Sequence, residues 1–154
     1  MAPRTATNPS RQATEPVGIA NRLRPVLLHL NRHLRREAQT QGISAGQISL
    51  LAAIEDRPGI GIADLAAREG MSAPSVCTAA DRLQAGGYVT RVRDSNGDRR
   101  RVGLAATPAG TALLRRVRSR RTAWLAARLG ALSPEERGRI ADAVDALSAL
   151  VSQR

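Results

Sequence analysis

The stretch IADLAAREGMSAPSVCTAADRLQAGGYVTRVRDSNGDRRRVGLAAT, residues 62–107, constrains the fold more than any other part of the chain. Apolar residues at Ile62, Leu65 and Ala66 repeat with the period of a short helix that buries one face. Gly70 tolerates the left-handed backbone that closes such a helix. Ser72 then offers its hydroxyl as the N-cap of a second helix, and Pro74 sits in the first turn, where a missing N–H costs little. That helix is predicted from Ala73 to Ala85, with Val76, Ala79, Ala80 and Leu83 inward and Ala73, Ser75, Thr78 and Arg82 outward. Gly86 and Gly87 end it. Tyr88, Val89 and Val92 suit one strand, Val102 and Leu104 a second, and the Asn-Gly within DSNGDR is a hairpin-turn signal. Helix, tight turn, helix and hairpin in that order describe a winged helix-turn-helix, which docks on duplex DNA.

Charge points the same way. Arg91, Arg93, Arg99, Arg100 and Arg101 crowd the hairpin, with only Asp94 and Asp98 against them. A solvated hairpin mixes signs more evenly, so the imbalance predicts contact with phosphate or the minor groove. The expected DNA-binding residues are therefore Ser72, Ala73, Pro74, Ser75, Thr78 and Arg82 on the reading helix. On the wing they are Arg91, Arg93, Asp98, Arg99, Arg100 and Arg101. All 24 basic residues are arginine and the formal net charge is +11, which implies an anionic partner. Because uniform arginine also reflects codon usage, it is the clustering that carries the argument. Arginine forks match phosphate and guanine edges.

Of the 65 apolar residues 27 are alanine and none is phenylalanine, so few large side chains are available to fill a core. Close helix packing and a partner subunit compensate. Tyr88 and Trp124 are the whole aromatic complement, which argues against modules that stack single-stranded bases on several rings. A chain of 154 residues fits a single domain. It contains no apolar run able to cross a membrane and no signal peptide, so a soluble cytoplasmic protein is expected.

The flanks are predicted helical. Residues 1–16, with three prolines and no apolar period, are expected to be a disordered arm, and residues 17–154 one domain. Ile19, Leu23, Val26, Leu27, Leu30 and Leu34 keep helical spacing from Val17 to Ala38, where Pro25 either kinks the helix or marks its effective start. Ser44 caps a short helix carrying Ile48, Leu51 and Ile54, which Arg57-Pro58-Gly59 stops. Thr107-Pro108 opens a helix to about Leu129, and Ser133 with Glu136 has capping-box spacing for a last one. Ile140, Val144, Leu147 and Val151 form a stripe on that last helix that a lone lobe leaves uncovered. The architecture expected is mainly α with a small β-hairpin wing. A DNA-binding lobe spans 44–107, and dimerisation helices lie in 17–43 and 108–154. The expected homodimer interface includes Leu23, Leu27, Leu30, Ile140, Val144, Leu147 and Val151.

Leu65-Ala66, Pro74-Ser75-Val76, Asp81-Arg82-Leu83, Gly87-Tyr88-Val89, Arg91, Asp98-Arg99-Arg100 and Thr107 to Gly110 recur in this order and spacing in one family. From about Val17 to Val151 the chain resembles the MarR family of bacterial winged-helix transcriptional regulators. It departs at two points: the loop from Asp94 to Asp98 is one residue longer than the usual wing, and Thr78 stands where many members place a base-contacting arginine. The resemblance implies a homodimeric repressor on a near-palindromic operator, with a pocket for a small effector where the dimer helices meet the DNA-binding lobe. Asp98 and Arg100 match its Asp-x-Arg wing pattern. In that pattern Arg100 enters the minor groove and Asp98 orients its guanidinium.

Other features have plainer explanations. His29 and His33 share a helical face, but without a local cysteine or acidic cluster to complete a shell they read as an ordinary polar or interface pair. No metal or cofactor is assigned. Cys77 is the sole cysteine, which excludes an internal disulfide, and it reads as a small, partly buried residue of the reading helix. Arg115, Arg116, Arg118, Arg120 and Arg121 spread over several faces as a solvated surface; their alternative role is an electropositive rim for phosphate or an anionic aromatic effector. There is no P-loop, dinucleotide fingerprint, nucleophile elbow or HExxH motif, so an enzyme is not expected. The rival is an architectural protein coating DNA without sequence preference, which needs no capped reading helix.

Overall fold

The computed structural model describes residues 15–38, 42–93 and 102–152. The chain divides into two units, Met1–Ala45 and Gly46–Arg154. In the first, helix α1 runs from Pro16 to Ala38 without interruption, so Pro25 lies inside it and is not its start. Pro16, placed in the arm by the sequence reading, is the first helical residue, where its fixed φ and missing N–H suit a helix start. The Ile19 N–H donates to the Glu15 carbonyl at 3.0 Å. Residues 1–14 lie outside the described residues.

The second unit contains α2 (Ala45–Asp56, from the unit boundary), α3 (Ile62–Glu69), α4 (Ala73–Ala85), β1 (Val89–Arg93), β2 (Val102–Ala106), α5 (Pro108–Gly130) and α6 (Pro134–Ser152). Its core is aliphatic. Leu50, Leu51 and Ile54 of α2, Leu65 of α3, Val76 and Leu83 of α4, Leu104 of β2, and Leu113, Leu114 and Val117 of α5 are each less than 2% exposed. Burying one such side chain contributes about 1.5–3 kcal/mol, and no buried polar or charged residue sits among them in the described residues. Ile62 and Ala79, expected inward, are only half-buried at the margin of this core.

The two strands pair antiparallel, with Val89 opposite Ala106 and Arg93 opposite Val102. Ile60 adds one bridge to Leu104, whose N–H donates to the Ile60 carbonyl at 2.9 Å and so fastens the hairpin to the segment before α3. Tyr88, expected in the strand, lies just before it. Its N–H goes to the Leu83 carbonyl at 2.9 Å and that of Gly87 to Gln84 at 2.9 Å, a Schellman closure of α4. Gly87 makes this possible with φ +75. Among the described residues no helix is long and apolar enough to cross a membrane.

The capping box of α6 forms as its spacing predicts. Glu136 N–H donates to Ser133 Oγ at 3.2 Å, and Ser133 N–H donates to Glu136 Oε2 at 2.9 Å. The Ser133 backbone N–H first, and its hydroxyl second, hold the Glu136 carboxyl below its ordinary value. A depressed folded-state pKa adds stability above the unfolded value and loses it as pH falls through the folded one. The α6 start is therefore expected to loosen only in acid. A carboxyl-detected NMR titration should place Glu136 below 4.5, the ordinary value, and a midpoint at or above that value would show the box open in solution.

Candidate nucleic-acid interface

Helix α4, the reading helix of the sequence expectation, is anchored from behind. Val76, Ala80 and Leu83 are at most 1% exposed, whereas Ala73, Pro74, Ser75, Thr78 and Arg82 are all exposed on the other side. The turn that aims it begins at Gly70 (φ 62), whose N–H and that of Met71 both reach the Ala66 carbonyl. Ser72 caps the helix: Ser75 N–H donates to its Oγ at 3.4 Å. The hydroxyls of Ser72 and Ser75 are also 2.8 Å apart, and Thr78 Oγ1 donates to the Pro74 carbonyl at 3.0 Å. Each proposed reading hydroxyl thus has a local partner, which the outward-facing pattern did not reveal. Arg82 makes no ion pair among the described residues.

The wing is only partly described. The expected turn and Asp98, Arg99, Arg100 and Arg101 fall in residues 94–101, which lie outside the described residues; Arg93 is described by its backbone in β1. Arg91 is described, and it turns toward the protein. Its Nη2 donates to Asp81 Oδ1 at 2.7 Å and its Nε to Gln84 Oε1 at 3.0 Å, so one guanidinium ties β1 to the last turn of the reading helix. Cys77 Sγ, half-buried one turn earlier, lies 3.8 Å from the other oxygen of Asp81. Sequence reasoning counted Arg91 among five like charges and missed this fork. The available signal was Asp81 and Gln84, acceptors one turn apart beside a basic strand.

Below the lobe, Arg118 pairs with Glu55 at 2.8 Å and joins α5 to α2. It is therefore a structural tie and not simply part of a solvated run. Arg115, Arg116 and Arg120 are exposed. Near the end of α5 the Arg128 guanidinium stacks 3.7 Å over the Trp124 ring. Among the described residues no group of three or more His, Cys, Asp or Glu is placed to hold a metal.

Known proteins share this fold. The model of the MarR family matches residues 41–101. The HTH-type transcriptional regulator Mb0904 of Mycobacterium bovis, itself uncharacterized, is 30% identical over 135 residues, covering 88% of this chain and 94% of its own. A crystal structure of a Pseudomonas aeruginosa protein assigned as a transcriptional regulator superposes with TM-score 0.79 at 28% identity, over 92% of this chain and 99% of that one. Streptococcus pneumoniae FabT, solved in complex with DNA, has the same fold at TM-score 0.62 and 21% identity, over 86% of this chain and 94% of its own. With a capped, outward-facing helix-turn-helix, a β-hairpin beside it and a regulator aligned along nearly its whole length, this chain belongs to the MarR family of DNA-binding transcriptional regulators.

Proposed function

We propose that the protein is a homodimeric repressor that seats one α4 from each copy in successive major grooves of a near-palindromic operator. The observation that carries this is the exposed row Ser72, Ala73, Pro74, Ser75, Thr78 and Arg82 on a helix whose back is fully buried. Short polar side chains on a rigid helix allow close approach to base edges. With its proton given to Pro74, Thr78 presents lone pairs. It is thereby suited to accept from adenine N6 or cytosine N4, while Arg82 is the guanine reader. On the wing, Arg93, Arg99 and Arg101 follow phosphates, and Arg100 enters the minor groove with Asp98 orienting it.

The dimer is supported by α6, which buries none of its residues and leaves Ile140, Val144, Leu147, Leu150 and Val151 exposed. On α1, Val26 and Leu27 are exposed as well, with Leu23 and Leu30 half-buried. A second copy covering these faces removes a row of apolar side chains from water. A small anionic or aromatic effector that favours a dimer spacing unsuited to the operator releases it.

Footprinting should protect a near-palindrome whose half-site centres lie about one helical turn, roughly 34 Å, apart, and light scattering at micromolar concentration should give a dimer mass. Ser75→Ala and Thr78→Ala are each expected to change base preference by about 1–3 kcal/mol while leaving the fold intact. Coating without sequence preference would favour the architectural alternative, and a monomer mass would remove the dimer from the proposal.

A further inference from the structure

Helix α1 brings together the only two histidines in the chain. His29 and His33 lie one turn apart, their Nε2 atoms 3.1 Å from each other, ring centroids 4.7 Å apart and ring planes at 66°. As a hydrogen bond, this contact requires one ring to carry its proton on Nε2 and the other to offer a lone pair there. With both protons on Nδ1, the two Nε2 lone pairs share one approach. Nitrogen–metal bonds of about 2.0–2.1 Å across this gap subtend roughly 95–102° at an ion, between the octahedral and tetrahedral angles. Closing a chelate keeps this separation and turns each Nε2 lone pair off the N···N line toward the ion, and His29 is exposed to the ion's approach.

We propose that His29 and His33 form a two-nitrogen chelate for a late first-row divalent metal, Zn2+, Ni2+ or Cu2+. Imidazole nitrogen prefers these ions, whereas Mg2+ and Ca2+ prefer oxygen. Among the described residues no third His, Cys, Asp or Glu stands with this pair to hold a metal, which leaves the remaining positions to water. Arg22, Arg24, Arg32, Arg35 and Arg36 on the same helix repel a cation, with Glu37 one turn beyond His33 as the acid of α1. The site is therefore an exchangeable one and not a structural centre. Bound metal clamps one turn of α1 and so raises the helix's stability by mass action.

Calorimetric titration of the full chain with Ni2+ or Zn2+ in a non-coordinating buffer should give one ion per chain, and Mg2+ should give none. His29→Ala and His33→Ala should each weaken binding by at least the roughly 10- to 100-fold that loss of a merely supporting partner costs a metal site. Both substitutions place the best helix former in a helix, so the fold should survive. Cys77→Ser should leave the affinity unchanged, and the ring signals of both histidines should shift together in NMR spectra on adding Zn2+. Failure of the unaltered chain to bind, alanine variants that bind as tightly as the unaltered chain, or loss of binding in Cys77→Ser would each overturn the assignment.

Discussion

Gly110→Ala is expected to cost the fold about 3 kcal/mol, the upper end of what overpacking a well-filled interior does. Gly110 lies in the first turn of α5 against the backbone of Tyr88. A Cβ there would overlap the Tyr88 carbonyl oxygen and press Leu51 Cδ1 at 3.3 Å. That carbonyl cannot swing away. It accepts the Thr107 N–H at 3.0 Å while the Tyr88 N–H is held by Leu83 at 2.9 Å, and the Thr107 hydroxyl donates to Gly87. Because the clash is with backbone, no rotamer change relieves it. For a chain of this size the loss lowers the unfolding midpoint by roughly 6–12 °C. Gly138→Ala, inside α6 with nothing within 4 Å of the new methyl, should instead gain about 0.5–1 kcal/mol. Thermal unfolding of both variants at one protein concentration checks the pair, and a wild-type midpoint for Gly110→Ala would contradict the packing described.

Arg91→Ala should lower operator affinity about 10-fold, equivalent to about 1.4 kcal/mol, while changing fold stability by less than about 1 kcal/mol. The stability effect is small because the Arg91 and Asp81 side chains are 45% and 57% exposed. The larger loss follows from position: the guanidinium fixes the last turn of α4 to β1, and so sets the angle between reading helix and wing. Asp81→Ala separates this role from direct phosphate contact. Removing a carboxylate makes the protein more positive and strengthens purely electrostatic binding. If Asp81 holds Arg91 in place, Asp81→Ala weakens operator binding instead, and the double variant is little worse than either single one. The salt slope for Arg91→Ala should then match the unaltered protein, whereas an arginine on phosphate would reduce it by about 0.9 per contact. Tighter binding by Asp81→Ala would refute the positioning role.

The helix boundaries were legible because their signals act over three or four residues. Ser72, Thr107 and the Ser133–Glu136 box each bond within their own first turn, so their spacing carries the same information as the coordinates. The inward and outward sides of α4 were equally legible, since helical geometry alone assigns Val76, Ala80 and Leu83 to one side and Ser75, Thr78 and Arg82 to the other. Tyr88 was misassigned for a local reason that its β propensity concealed. Its N–H completes the closure of α4, and the ladder begins only at Val89. Spacing alone leaves Pro25 as either a kink or a helix start, because a proline's effect inside a helix depends on what surrounds the freed carbonyl.

Periodicity, short-range hydrogen bonding and charge counting suffice for the order of elements, the capped helix α4, the apolar stripe of α6 and the excess of arginine on the hairpin. Packing in three dimensions decided which arginines are engaged. Arg91 reaches Asp81 and Gln84, and Arg118 reaches Glu55, 63 positions away in the chain, while exposed Arg82 makes no such pair among the described residues. It also decided that Gly110 must have no side chain, and that two histidines one turn apart turn their Nε2 atoms toward each other. The physical reason is the same in each case. A sequence specifies local backbone and the face a residue occupies, but the partner of a long side chain, or the room beside an α-carbon, is set by where other elements pack and by which rotamers that packing leaves open.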